Sequence, residues 1–587
     1  MKRIAISQIF FCISLLGCLK AEKSPFDASN TSNPVFAVSV FNIKPTILGG
    51  GTTPNAITPP SSVSYGSLSS FKMIPGVAVN FTPTVTGTVD SWNINPTLPT
   101  GLTFDSKTGS ISGTPSASYL SGGFALTTFT IQAVNAFGST EFKIDLQILG
   151  TGENVWTVIH GVTGYATTAG YGSLFFNSNS NSLYSAGATL GALDGESNPS
   201  PGVASGFVTK YDLNGNRIWT KLSIATSGGF GQNGLSVDSA ENIYIGGSVY
   251  GPTTFDGITT PNSYNAAISK FAPDGTRQWS SLRYQNSSES FGNAIYADAS
   301  GSVFLLGQAK GGLDFSANTA GSDAANSVMK YNSAGTWQST TLVGTSSAST
   351  GRHVGVYAGV TDSAGNLWTG GYSQAGDKCA NPDLKRTATI FKYNSSVVYQ
   401  ACYSLVSGTG GTAGEVYIFG ITRDSSDNLY VTGYTNRNLD GITKTSTAGD
   451  SYYDAFIAKF NSSGTKLWTR LLGVTGNTTT KAYAITKSVD NFYYIIGETN
   501  GNLGGQTLNG AIDLFVAKYD TNGNLQTNGA QPWVKLLGSS GSTTVGTGIA
   551  FDTNNTMYAT GHSTGDIGGT TNPVKPNNAH LLVRFVQ

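Results

Sequence analysis

Four aspartates recur at one place in a repeated loop: Leu193-Asp194-Gly195, Phe255-Asp256-Gly257, Leu313-Asp314-Phe315 and Leu439-Asp440-Gly441. Carboxylates spaced around one rim have the chemistry to hold a cation such as calcium, or a basic partner. Later copies read Leu503-Gly504-Gly505 and Ile567-Gly568-Gly569. A site that trades carboxylate for glycine points instead to each Asp stabilising its own turn. Gly561-His562-Ser563-Thr564-Gly565 fits a Gly-x-Ser-x-Gly nucleophile elbow by letter. An elbow needs a strand followed by a helix, whereas the sister copies here read Gly433-Tyr434-Thr435-Asn436 and Gly497-Glu498-Thr499-Asn500 at the end of a strand. His160, His353, His562 and His580 lack zinc-type spacing and read as separate strand or surface residues. Asp520-Thr521-Asn522-Gly523-Asn524 opens like a calcium loop, but it lacks the acidic twelfth ligand and aligns with the hairpin turn Asp212-Leu213-Asn214-Gly215-Asn216. The expectation is therefore no catalytic set, no metal centre and no resident cofactor.

The elements that position these residues are repeats. Aligning the aromatic of an Asn-Leu-Tyr-Val-Thr-Gly segment gives Tyr184, Tyr244, Phe304, Trp368, Tyr430, Tyr494 and Tyr558, at spacings of 60 to 64 residues. A period that steady marks copies of one supersecondary unit. A basic residue followed by an aromatic recurs in the same register: Lys210-Tyr211, Lys270-Phe271, Lys330-Tyr331, Lys392-Tyr393, Lys459-Phe460, Lys518-Tyr519 and Arg584-Phe585. Asp238, Asp298, Asp362, Asp424 and Asp552 stand six residues before the aligned aromatic, and a cross-strand salt bridge to that base is expected. Each unit reads as four strands, with tight turns joining one to two and three to four, and long connections elsewhere. Seven such units fit a seven-bladed β-propeller over 151–587. The fourth-strand aromatics are Trp219, Trp279, Trp337, Tyr399, Trp468 and Trp533, and the last copy stops after its third strand. The run from Val155 to Gly164 matches the run from Leu467 to Gly476, so the N-terminal segment should supply the missing strand. Binding residues favour longer loops on a rigid scaffold, which makes the long-loop face the candidate ligand face.

The repeats resemble bacterial β-propeller repeats of the SBBP type. Upstream, 61–150 carries period-two strands and the run LPTGLTFDSKTGSISGTPS from Leu98 to Ser116. This resembles the immunoglobulin-like modules of bacterial surface proteins and implies a β-sandwich acting as spacer or adhesive module. No cysteine pair is available to bridge it.

Lys2 and Arg3 precede an apolar run over 4–16 that is too short to span a bilayer. The run ends Leu15-Leu16-Gly17-Cys18, which resembles a lipobox. The resemblance implies a signal peptide over 1–17, a lipid on Cys18 that holds the chain to the membrane, and residence in the bacterial cell envelope at the outer membrane, on either side of it. Residues 18–60 are rich in Ser, Thr, Asn, Pro and Gly and read as a flexible tether. Export permits a disulfide between Cys379 and Cys402, both in the fourth copy.

Lys plus Arg and Asp plus Glu both number 33, which leaves no field to attract nucleic acid. The chain is thus expected to be an all-β, monomeric envelope lipoprotein that binds a protein or glycan, or serves as an adhesin or scaffold, without catalysis. The alternative is a propeller enzyme. The stretches Asn-Gly-Asn-Arg-Ile-Trp and Ser-Gly-Thr-Lys-Leu-Trp are similar to the docking repeats of quinoprotein dehydrogenases, and other propellers are hydrolases or lyases.

Overall fold

The computed structural model describes residues 58–586 apart from 67–69, 122, 261–263, 285–288, 311–312, 314–323, 345–353, 375–385, 406–413 and 448. Cys18, Asp314, His353 and Cys379 lie outside the described residues, as do the leader and nearly all of the tether.

Alternating apolar residues build the first module. Strands Ser70–Met73, Gly138–Ile148, Phe124–Asn135 and Ser91–Asn95 lie side by side in that order, and a second sheet joins Val79–Phe81, Ile111–Gly113 and Leu102–Phe104. Between them Trp92, Ile111, Phe129, Ile131, Ile144 and Leu146 form a core without a disulfide. The Asp-x-x-Thr-Gly turn is fixed by Asp105, which accepts from the Lys107 N–H and the Thr108 hydroxyl. Gly109 lies at φ +73° against the Trp92 ring, where a Cβ would come within 2.6 Å.

Downstream, among the described residues, seven antiparallel four-stranded sheets follow one another. Their first strands are Thr167–Asn177, Phe230–Val237, Glu289–Ala297, Gly355–Thr361, Val416–Arg423, Thr480–Lys487 and Thr544–Phe551, and the sheets are numbered 1 to 7 in that order. Sheet 5 shows the pattern plainly: Val416–Arg423, Leu429–Thr435, Asp454–Phe460 and Lys466–Leu472. Sheet 7 takes its fourth strand, Asn154–His160, from the other end of the array, paired with Ala579–Phe585. Trp156 stands opposite Arg584 as Trp468 stands opposite Lys459, which is the pairing the sequence match predicts.

No sheet closes on itself; the sheets are held together by packing. Each first strand touches the next, and that of sheet 7 touches that of sheet 1. Seven apolar clusters each lie between two neighbouring sheets. Tyr184 and Val208 of sheet 1 meet Phe230 and Ile243 of sheet 2, and Trp368 and Ile390 of sheet 4 meet Ile418 and Val431 of sheet 5. The cluster between sheets 7 and 1 also takes in Ile74, Leu120 and Leu149 of the first module. Burying each large apolar side chain contributes about 1.5–3 kcal/mol, so neighbouring sheets stabilise one another.

In all seven copies the aligned aromatic faces the strand-three base, from Tyr184 opposite Lys210 to Tyr558 opposite Arg584. The expected salt bridge does not form: among the described residues no ion pair joins the base to the five aspartates, although Lys210 of the first copy bonds Glu241 in the turn of sheet 2 at 2.9 Å. Instead the ammonium lies over the ring, at 5.2 Å for Lys210 and Tyr184, 4.5 Å for Lys392 and Trp368, and 4.9 Å for Lys459 and Tyr430. The aspartates close the turn between strands one and two. Asp238 accepts from the N–H groups of Ala240 and Asn242, and from the Tyr244 hydroxyl at 2.9 Å. A cation on a ring face needs no desolvated carboxylate beside it, and the turn offers the Asp more donors.

Two of the aligned fourth-strand aromatics are also displaced. Trp219, Trp279 and Trp468 face the strand-three Lys, but Trp337 faces Tyr331 and Tyr399 faces Tyr393. Ser339 and Ala401 take the Trp place in sheets 3 and 4. Tyr399 is therefore not a substitute for the repeat tryptophan.

Candidate functional site

The first strands of all seven sheets converge on one cavity of about 450 Å³. Its walls are small or apolar, including Leu174, Leu235, Ile295, Ile421, Ile485 and Ile549, with Ser236, Asp238, Asp298 and Thr486 among the polar lining. Such a volume lies within the range of small-molecule sites.

A bulge in each first strand shapes the cavity. The register slips between Val356 and Ala358, Ile418 and Gly420, and Ala482 and Ala484, leaving Tyr357, Phe419 and Tyr483 unpaired. Sheet 1 carries a longer interruption between Ala169 and Leu174, which contains Tyr171. Bulges re-aim side chains, and these four bring rings together across the centre. Tyr171 lies 4.7 Å from Tyr483 and 5.4 Å from Phe419, and Phe419 stacks on Tyr357 at 4.7 Å.

The glycine three residues after each aligned aromatic permits the bulge. A Cβ on Gly433 would sit 1.7 Å from the Tyr417 carbonyl oxygen, and one on Gly497 1.8 Å from that of Lys481. Gly187, Gly247, Gly307, Gly371 and Gly561 are as tightly placed. Gly433→Ala should therefore destabilise by about 1–3 kcal/mol, the range for forced overpacking. It should also quench or shift the tyrosine emission of the belt, and a variant with the wild-type urea midpoint would show that the strands part freely.

The residue after that glycine differs between copies: Ala188, Ser248, Gln308, Tyr372, Tyr434, Glu498 and His562. Around the start of the first strands in sheets 4 to 6 these residues join the ring belt to ion pairs. Arg386 pairs with Glu415 at 3.0 Å, bonds the Tyr417 hydroxyl and lies over Tyr372 and Tyr417. Lys481 lies 4.0 Å from Glu498 and over Tyr434 and Tyr453. The Tyr483 hydroxyl donates to Glu498 at 2.7 Å. Burial pushes the Tyr417, Tyr434 and Tyr483 phenols well above their usual range, so they remain neutral donors. This aromatic mouth lies at the long-loop end; its ion pairs do not line the cavity, whose Asp238 and Asp298 stand in strand one-to-two turns at the other end. Sequence alone did not reveal it, although the contrast between seven constant glycines and seven varied neighbours was a legible signal.

The aspartates of the Leu-Asp-Gly loops lie elsewhere. Asp194, Asp256 and Asp440 adopt φ near +50° in their turns, as do Gly504 and Gly568 at φ 59°. Each carboxylate turns onto its own fourth strand. Asp194 accepts from Thr220 at 2.6 Å with Arg217 at 3.6 Å, Asp256 accepts from Ser280 at 2.7 Å with Arg277, and Asp440 binds Thr469 and Lys466. Three clamps of the same design stand at the strands furthest from the cavity. Where the loop has Gly504 or Gly568, Gln531 or Asn154 stands two residues before the Trp, in place of the base. Asp520 likewise serves its turn, accepting from the Asn522 and Asn524 N–H groups. Cys402 is disulfide-bonded and occupies, opposite Phe391, the rung of Thr220, Ser280 and Thr469.

Three of the histidines are not separate. His562, His580 and His160 stand opposite one another across sheet 7. His160 bonds Asp194 through Nδ1 at 3.1 Å and meets His580 at 2.8 Å through Nε2, where the Tyr211 hydroxyl also donates at 2.7 Å. His580 continues to Ser185 at 2.7 Å and Thr560 at 3.1 Å. Burial would raise the Asp194 carboxyl, but the hydrogen bond and charge of His160, with Thr220 and Arg217, outweigh it and hold the group at about 2. Burial pushes His562 down to about 4 and His580 well below its usual range. The chain runs Asp-His-His-Ser, yet Ser185 and His580 are fully buried and neither lines the cavity. Among the described residues no group of three or more His, Cys, Asp or Glu is placed to hold a metal ion. Ser563 bonds Thr544 within a strand, and a turn rather than a helix follows.

Comparison with known proteins agrees with the two kinds of module. Residues 51–148 match the family model "Putative Ig domain", and 409–440 and 533–569 match that of the "Beta-propeller repeat". Among curated proteins, an uncharacterized WD repeat-containing protein of Acanthamoeba polyphaga mimivirus is 35% identical over 95 residues, covering 15% of this chain and 6% of the relative. The regulatory protein FlaEY of Caulobacter vibrioides is 25% identical over 331 residues, covering 54% of this chain and 28% of the relative. The chain thus spans less than a third of the length of either relative. Among solved structures, a quinonprotein alcohol dehydrogenase-like protein of Bacteroides thetaiotaomicron is 10% identical, with 68% of this chain and 93% of that one covered and a TM-score of 0.25. PorZ, a surface component of the type-IX secretion system of Porphyromonas gingivalis, is 13% identical, with 78% and 50% covered and a TM-score of 0.34. The protein is all-β, with an immunoglobulin-type module ahead of propeller-type repeats.

Proposed function

We propose that the seven sheets are the blades of one β-propeller, closed by the Asn154–His160 strand, and that the protein is a non-enzymatic binding, adhesion or scaffold protein of the bacterial cell envelope. A lipid on Cys18 holds it to the membrane, 18–60 tethers it, and the immunoglobulin-like module sets the propeller off from the surface. The observation that carries this reading is the placement of the module. Ile74, Leu120 and Leu149 pack with Leu213, in a strand three-to-four turn, and with Val586, just past a third strand. Both mark the tight-turn end. The opposite end, with the aromatic mouth, then faces away from the anchor, toward a partner.

The charged rim is the part to vary. Arg386 and Glu415 are about one-third exposed, at 34% and 35%, so Arg386→Ala and Glu415→Gln should leave the melting temperature within a few degrees. On cells displaying the full chain, both should reduce attachment to immobilised matrix or partner cells at least tenfold relative to Asp274→Asn at the tight-turn end. Equal attachment by all variants would overturn the assignment of this face. A bound chromophore in the purified chain, or turnover of an alcohol with an artificial acceptor, would favour a dehydrogenase instead.

A further inference from the structure

Resting on that reading, we infer that the long-loop mouth over sheets 4 to 6 recognises a neutral sugar ring, such as the terminal pyranose of an uncharged oligosaccharide. Three observations on the mouth narrow the ligand chemistry.

The first is its charge. The cations Arg386 and Lys481 are answered within it by Glu415 at 3.0 Å and Glu498 at 4.0 Å, and Arg437 by Asp450 at 3.2 Å. Among the described residues of the mouth these charges balance, so they offer no net field to draw a phosphate, sulfate or uronate, or a basic segment. Nucleobases could stack on the same rings, but among the described residues their backbone would find no surplus of positive charge.

The second is that its cation cages are already filled. Arg386 sits 5.3 and 5.7 Å from the Tyr372 and Tyr417 rings, and Lys481 sits 5.1 and 4.6 Å from those of Tyr434 and Tyr453. A quaternary ammonium or methylated lysine would have to displace the protein's own cations.

The third is the mixture of rings and hydrogen-bonding groups. Tyr171 reaches from sheet 1 to Phe419 and Tyr483 and remains 39% exposed, which gives an apolar face. Beside its neighbour Tyr483 stands the Glu498 carboxylate, and further round, at Tyr372 and Tyr417, stand the Glu415 carboxylate, the Arg386 guanidinium and the Gln308 amide, which donates to the Tyr372 hydroxyl at 3.2 Å. A protein interface places its charges at the rim of a broad apolar core, whereas here ion pairs and rings alternate within a few ångströms. A ligand with an apolar face and a perimeter of hydroxyls fits that alternation: its face lies on an aromatic ring and its hydroxyls bond paired donors and acceptors.

The test is calorimetric titration of the full chain without its leader against neutral glucan, mannan and galactan oligosaccharides, alongside sulfated and uronic-acid counterparts. Binding of at least one neutral series is expected, changing less than twofold between 0.1 and 0.5 M salt. It should weaken at least tenfold in Tyr171→Ala and in Glu415→Gln, with unchanged melting. Binding confined to the acidic sugars, or neutral binding indifferent to both substitutions, would overturn the inference. If the two variants lose attachment to cells or matrix while no neutral sugar binds, the ligand is a protein: the sugar inference falls and the binding face stands. If attachment is also indifferent to the variants, both fall.

Discussion

A chain that begins at residue 161 is expected not to fold to a stable monomer, whereas one that begins at 151 melts cooperatively. The ten-residue difference contains Asn154–His160, the fourth strand of sheet 7. Val155, Trp156 and Ile159 are buried in it, with Trp156 packed at 6.0 Å against Tyr558. Burial of three such side chains contributes roughly 5–8 kcal/mol, comparable with the whole stability of a typical domain, about 5–15 kcal/mol. The shorter chain would also present Ala579–Phe585 as an unpaired edge, a template for association. Urea titration and light scattering of the two chains measure this directly. A synthetic peptide of residues 151–163 added in trans should restore the shorter chain. Equal urea midpoints for the two chains would mean that this strand does not hold the array together.

Acidification from pH 7 to 5 is expected to weaken the same seam. His580 and His562 titrate well below their unfolded value of about 6.5. Below that value the unfolded chain takes up protons that the folded chain refuses, so stability falls as the pH falls. The slope is about 1.4 kcal/mol per pH unit for each such histidine, roughly 2.7 for both. The His562 contribution runs from about pH 6.5 down to its folded value near 4. The window of Asp194 is separate: its stabilisation is complete above about pH 4 and is lost only as the pH falls through about 2. The geometry explains the sensitivity of His580. Its two ring nitrogens face His160 and the hydroxyls of Ser185 and Thr560. If both imidazoles were fully protonated, N–H would be set against N–H. His580→Leu, copying Leu514 at the same place in sheet 6, should cost stability at pH 7 and roughly halve the slope between pH 6.5 and 5. An unchanged slope would place the titrating groups elsewhere.

Much of the scaffold was legible because its signals are local. The aromatic and the basic residue repeat in each copy, and they face each other in every sheet. The Asp or Asn that opens a hairpin bonds N–H groups two and four residues on, so its role follows from the turn alone. The match around Trp156 located the last strand for the same reason: the strand carries its sisters' pattern wherever it lies in the chain. Where an interval between motif residues changes, sequence alignment fails. Trp337 and Tyr399 come two residues early after the strand-three base, and the ladder sets them opposite an aromatic rather than a lysine.

The sequence by itself determined the all-β repeat, its register and its turns, since each depends on residues a few positions apart. Tertiary structure alone decided what the repeats surround. The belt of Tyr171, Tyr357, Phe419 and Tyr483 forms because bulges in separate sheets turn rings toward one centre. His160 and His580 meet across 420 positions of chain because the two ends of the array share a sheet. Asp194, Asp256 and Asp440 turn onto fourth strands because a hydroxyl and a base wait there. A periodic pattern records what each unit needs in order to fold; which side chains meet in space is set by how neighbouring units pack.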